Sequence, residues 1–139
     1  MLPRMSLPAP AISALHDHSP RTRIAVIGAS NDPAKYGNII VRDLASRGYA
    51  VLPVHPRETH IAGLPCAASV AAIAGPVAIA NLVVPPEVAM QVVAQLDPAQ
   101  VGVVWFQPGS YDAEVVAAAK QRFAHVVAGD CIMVVARWA

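Results

Sequence analysis

From residue 23 onward, short apolar runs alternate with stretches whose apolar residues recur at helical spacing. That alternation is the signature of strand–helix–strand units feeding a parallel sheet. The run 23–28 is unbroken by polar residues after Arg23, as expected of a strand covered on both faces. A helix over 38–47 follows, with Ile39, Ile40, Leu44 and Ala45 on one side and Gly48 as its stop. Residues 49–54 give a second strand, after which Pro53 and Pro56 forbid an immediate helix. The connector 61–65 holds at most one small strand, and Ser69 caps a short helix over 70–74 that ends at Gly75-Pro76.

The run 77–84 is the strongest strand signal in the chain. It ends at Pro85-Pro86, and the second proline suits the first turn of a helix over 87–96. A strand over 101–106 leads through the turn Gln107-Pro108-Gly109 to a helix over about 111–123, with Ser110 as cap. A last strand over 125–128 precedes a terminal segment with Cys131 and another apolar run. Right-handed crossovers and short connections turn this order into a single α/β, Rossmann-like, doubly wound domain over residues 21–139. Its sheet is mostly parallel, with five or six strands in an order of about 3-2-1-4-5. Residues 1–20, rich in Pro, Ala and Ser, read as an arm that packs weakly or docks a partner.

Composition narrows the partners. With 139 residues, 55% of them hydrophobic, the chain can build one ordinary core. A formal net charge of +1 offers no basic surplus for a nucleic-acid backbone, so an anionic ligand must be met locally. Cys66 and Cys131 form no CxxC and have no close His partner, which leaves no disulfide framework or cysteine metal site and fits a reduced, cytoplasmic setting. His16 and His18 lack a further ligand nearby. The apolar runs are far shorter than the roughly 20 residues that span a bilayer, so no membrane partner is expected. Pro3, Pro8 and Pro10 break up the N-terminal stretch that a signal peptide would keep apolar. A homo-oligomer or a protein partner is compatible with this composition.

In a doubly wound sheet, ligands bind beyond the carboxyl ends of the strands, where the strand order reverses. There the first strand runs into Gly28-Ala29-Ser30-Asn31, with Lys35 just beyond. Small residues at such a turn let backbone N–H groups approach an anion at the positive end of the next helix. A plain strand-to-helix turn has the same composition, so the other loops decide. The dinucleotide fingerprint GxGxxG keeps only its first glycine, Gly28. The second strand ends in Val54-His55-Pro56-Arg57 in place of the acid that would hold ribose hydroxyls. A basic group there suits a 2′- or 3′-phosphate and favours coenzyme A or NADP over NAD; alternatively, Arg57 is a solvated charge beside Glu58. Val84-Pro85-Pro86 supplies a rigid apolar wall, and Trp105-Phe106-Gln107 brings aromatics and an amide to the same crevice, unless Trp105 and Phe106 are simply core, the commoner role of such residues. No Ser-His-Asp order, HExxH or P-loop pattern occurs, so no catalytic or metal residue is assigned.

Taken together, Val26-Ile27-Gly28-Ala29-Ser30 with Pro33, Lys35 and Gly37, then Gly48-Tyr49, Pro53-Val54-His55-Pro56, Gly63, Val84-Pro85-Pro86 and Trp105 to Gly109 leading to Cys131, carry a resemblance. Over about residues 22–135 the chain resembles the small stand-alone CoA-binding domain proteins, related to the N-terminal domain of the succinyl-CoA synthetase α subunit. The resemblance implies that the first loop contacts the coenzyme A phosphates, the loop after the second strand the nucleotide end, and the fourth and fifth strand ends the groove. It nominates Gly28, Ala29, Ser30, Asn31, Lys35, His55, Pro56, Arg57, Val84, Pro85 and Gln107 as contacts to coenzyme A or an acyl-CoA. The sequence departs from the family where His55 replaces an amide and where Gly129-Asp130 precedes Cys131 in place of an arginine. In the synthetases the phosphohistidine lies on a later domain, so non-catalytic binding is the expectation for this chain. The alternatives are an NADP-linked oxidoreductase or redox sensor, and a regulatory or scaffold subunit.

Overall fold

The computed structural model describes residues 7–139. Its elements run in the order α1 (Ala9–His16), β1 (Arg23–Ile27), α2 (Tyr36–Ser46), β2 (Ala50–Val54), β3 (His60–Ile61), β4 (Leu64–Pro65), a 3₁₀ turn (Val70–Ala72), β5 (Val77–Leu82), α3 (Pro86–Gln95), β6 (Val101–Phe106), α4 (Ala113–Arg122), β7 (Val126–Ala128) and α5 (Ile132–Arg137). Five parallel strands form one sheet in the order β2-β1-β5-β6-β7. This is the doubly wound Rossmann-like architecture expected from the pattern, except that the third strand of the expected 3-2-1-4-5 order is absent from this sheet and belongs to the separate β3-β4 pair.

Successive strand residues feed opposite faces, as a period of two requires. Ile24, Val26, Val103 and Trp105 pack with α1, α2 and α5, whereas Ala25, Ile27, Val104 and Phe106 pack with α3 and α4. The two layers explain why these strands are apolar throughout.

The connector 61–65 makes a two-stranded antiparallel hairpin of its own, β3-β4. The segment beyond it still reaches the sheet, because Ala67 bridges Val54 in parallel. Ala67 N–H donates to the Pro53 carbonyl (3.0 Å), and His55 N–H to the Ala67 carbonyl (3.0 Å).

Within the stretch 1–20, expected to pack weakly or dock a partner, residues 9–16 form α1, while residues 1–6 lie outside the described residues. Pro8 caps α1 and Pro10 sits in its first turn, where a missing N–H costs nothing. Ala11 and Leu15 are fully buried against the sheet, and Tyr49 Oη donates to the Leu15 carbonyl (2.5 Å). His18 stacks on Tyr49, with ring centroids 4.3 Å apart.

One cap differs from expectation. Asp112, not Ser110, caps α4, its Oδ1 accepting from Val115 N–H (2.9 Å). Ser110 Oγ instead accepts the Val84 N–H (3.2 Å), a donor that leaves the sheet when β5 ends at Leu82.

Candidate functional site

The strand order reverses between β1 and β5, and the chain after β1 is held close to β5 there. Gly28 has φ +94°, and a Cβ on it would lie 2.3 Å from the Val83 carbonyl oxygen and 2.7 Å from Val84 Cγ1. Gly37 permits a second close approach: its Cβ would meet the Gly28 carbonyl oxygen at 2.1 Å. Only glycine at both positions lets α2 settle directly onto the loop Gly28–Ala29–Ser30. Asn38, buried on α2, fastens it by donating to the Ser30 carbonyl (2.9 Å). Ala29 is buried, and Ser30 Oγ accepts from Asp32 N–H (3.0 Å).

Beside this loop opens a cavity of about 600 Å³ on the α3 side of the sheet. Gly28, Val54, Pro56 and Val84 line it together with Val70 and Val88. Its size lies within the usual range for a small-molecule site. The polar side chains on its walls are Ser69, Gln91 and Gln95. The sequence reading missed the two glutamines, although their i, i+4 spacing places them on one face of α3 with Val88 and Val92. Pro85 is exposed and caps α3 without lining the cavity.

The remaining nominated residues divide. His55 Nδ1 accepts from the backbone N–H of Arg57 (3.0 Å) and of Glu58 (3.1 Å), the work a side-chain amide oxygen would do there. It thereby shapes the loop. Lys35 and Arg57 are exposed, and among the described residues neither side chain has a hydrogen-bonding or ionic partner. Arg57 is thus not paired with Glu58.

Asn31 was expected to donate to a phosphate, but its amide is already spent. Nδ2 donates to Glu58 Oε2 (2.8 Å) and to the His60 carbonyl (2.8 Å), and Oδ1 accepts from Ala62 N–H (3.3 Å). Gln107 is also engaged within the protein. It is buried, its Oε1 accepts from Asn81 Nδ2 (3.2 Å) and Ile132 N–H (2.8 Å), and its Nε2 donates to Cys131 Sγ (3.3 Å). With Tyr36, Val83, Pro108 and Cys131 it borders a separate cavity of about 150 Å³. Trp105 and Phe106 are wholly core, and Trp105 Nε1 donates to the Asp130 carbonyl (2.8 Å). Burial pushes the Cys66 thiol up, away from the reactive thiolate form. Among the described residues no group of three or more His, Cys, Asp or Glu is placed to hold a metal, and no helix is long and apolar enough to cross a membrane.

At the switch point the glycine-held loop adjoins the cavity of about 600 Å³. The family model for the CoA binding domain matches residues 22–137. The chain belongs to the CoA-binding domain family. Among solved structures, a conserved hypothetical protein from Pyrococcus furiosus shares 41% identity at a TM-score of 0.73, over 81% of this chain and 97% of that one. A hypothetical protein from Pyrococcus horikoshii superposes at a TM-score of 0.80 with 29% identity, covering 96% of both chains.

The CoA-binding domain also occurs inside larger proteins. The α subunit of acetate–CoA ligase (ADP-forming) II from Pyrococcus furiosus is 44% identical over 69 residues, which span 49% of this chain and 15% of that subunit. A dinucleotide-forming acetyl-coenzyme A synthetase from Korarchaeum cryptofilum matches at a TM-score of 0.64 and 30% identity, over 72% of this chain and 24% of that one.

Proposed function

We propose that this chain binds coenzyme A, or an acyl-CoA, in the cavity beside Gly28, and that its role is binding without chemistry. The observation that carries this reading is the combination of a glycine-built loop at the switch point with Lys35 and Arg57, which have no side-chain partner among the described residues. In this reading the backbone of Gly28, Ala29 and Ser30 faces the pyrophosphate at the N-terminus of α2, and Lys35 adds a formal charge. Pro56 and Val84 line the face that takes the nucleotide end, with Pro85 at its rim. His55 shapes the loop from which Arg57 reaches a ribose phosphate. The walls support a binding role, since Ser69, Gln91 and Gln95 are neither acids nor bases at ordinary pH.

Isothermal titration with coenzyme A, dephospho-CoA, NAD and NADP tests the proposal. The expected result is binding of coenzyme A, weaker binding of dephospho-CoA, and weaker binding still of NAD. No detectable binding at millimolar coenzyme A would overturn it, and tighter binding of NADP than of coenzyme A would move the assignment to a dinucleotide-binding protein.

A further inference from the structure

Arg57 and Glu58 are consecutive residues of opposite charge in an exposed loop, close enough in sequence to pair. In this structure they do not pair. The Glu58 carboxylate is taken by Asn31 Nδ2 at 2.8 Å, and the Arg57 guanidinium is left without a partner among the described residues. The same Asn31 amide holds the β3-β4 hairpin through the His60 carbonyl and the Ala62 N–H. Ala62 has φ +52°, a left-handed conformation uncommon for a residue with a side chain, and its N–H points to Asn31. One side chain therefore makes three hydrogen bonds across 27 to 31 residues of sequence, joining the phosphate loop to the segment that follows β2.

We infer that Asn31 and Glu58 form a clasp whose role is to keep Glu58 off Arg57, so that the guanidinium remains available to a ligand phosphate. Asn31 is then a positioning residue, acting through Glu58 on Arg57, and does not itself contact the ligand. The inference rests on the assignment of this groove to coenzyme A. Freed from the clasp, the Glu58 carboxylate can turn to the adjacent Arg57 and compete with the ligand. An exposed pair of this kind weakens binding by about two- to fivefold, the range of surface ion pairs.

The experiment is a comparison of wild type, Asn31→Ala, Glu58→Gln and the double variant by calorimetric titration of coenzyme A and dephospho-CoA. Asn31→Ala is expected to weaken coenzyme A by about two- to fivefold while leaving dephospho-CoA nearly unchanged. Adding Glu58→Gln should restore coenzyme A binding, because the glutamine cannot neutralise Arg57. Equal weakening of both ligands, no weakening, or no rescue by Glu58→Gln would overturn the inference, since loss of mere loop structure is not repaired by removing a charge. Should Asn31→Ala fold poorly, Asn31→Ser, uncharged and too short to hold Glu58 and the hairpin together, carries the same expectation. The Arg57 Nε–Hε resonance of the ligand-free protein separates the two proposals. A shift in Asn31→Ala that returns in the double variant supports the clasp even if coenzyme A does not bind. Absence of that shift in a protein that binds coenzyme A removes the clasp and leaves the binding assignment standing.

Discussion

Replacing Gly28 by alanine tests the central packing feature of the switch point. Two costs combine. The first is conformational, because φ +94° lies where a side chain is strained, at about 1–3 kcal/mol. The second is steric: the new Cβ would sit 2.3 Å from the Val83 carbonyl oxygen and 2.9 Å from its carbon. These are backbone atoms of the chain leaving β5, so relief requires moving the loop, at about 1–3 kcal/mol for overpacking of this kind. Together the loss is about 2–6 kcal/mol, a large share of the 5–15 kcal/mol that stabilises an ordinary domain. Gly63→Ala supplies the control, since Gly63 has φ +80° but nothing within 4 Å of its Cβ, and so carries the conformational cost alone. Urea unfolding of the two variants, read as the change in ΔG at constant m-value, measures the difference. Gly28→Ala should be the less stable of the two by about 1–3 kcal/mol. Equal losses would refute the claim that contact with Val83 and Val84 makes glycine necessary.

Two further expectations concern the other end of the sheet. Leu15→Ala should cost about 2–5 kcal/mol in chemical unfolding, because Leu15 is fully buried; a loss under about 0.5 kcal/mol, typical of surface positions, would return residues 7–20 to the status of a loose arm. Asp17 accepts from Thr22 Oγ1 (2.6 Å) and Ser19 N–H (2.9 Å), and the Thr22 bond above all holds its carboxyl below the usual range. A depressed native pKa stabilises the fold above the unfolded value of about 3.9 and stops doing so as pH falls through the native value. Asp17→Asn should therefore reduce the melting temperature at pH 7 and converge with wild type in strong acid, and a constant gap across that range would contradict the linkage.

The architecture was legible because both faces of the sheet are covered. Apolar runs marked β1, β5 and β6, with Asn81 the one polar residue inside β5, and Pro86 marked the start of α3, since each signal is local. The first helix was hidden by Pro3, Pro8 and Pro10, which read as breakers although Pro8 and Pro10 occupy positions where a helix tolerates them. The choice between Ser110 and Asp112 as cap was made by a donor 26 residues away, the Val84 N–H. The site divides in the same way. Gly28 and its loop stood out because a tight turn after a strand constrains residue type. The commitment of Asn31 to Glu58 and of Gln107 to Cys131 and Ile132 could not be read, because those bonds join segments 24 to 27 residues apart.

The bridge between Ala67 and Val54 has a consequence for how copies of this chain meet. An exposed strand edge is a template for pairing with another chain, and natural sheets are under pressure to blunt it. At the β2 edge, Pro53 has no N–H to offer and its carbonyl is already capped by Ala67. At the opposite edge, β7 is three residues long and presents little backbone to extend. Continuous sheets running from one molecule into the next are thereby disfavoured, along with the aggregates they seed.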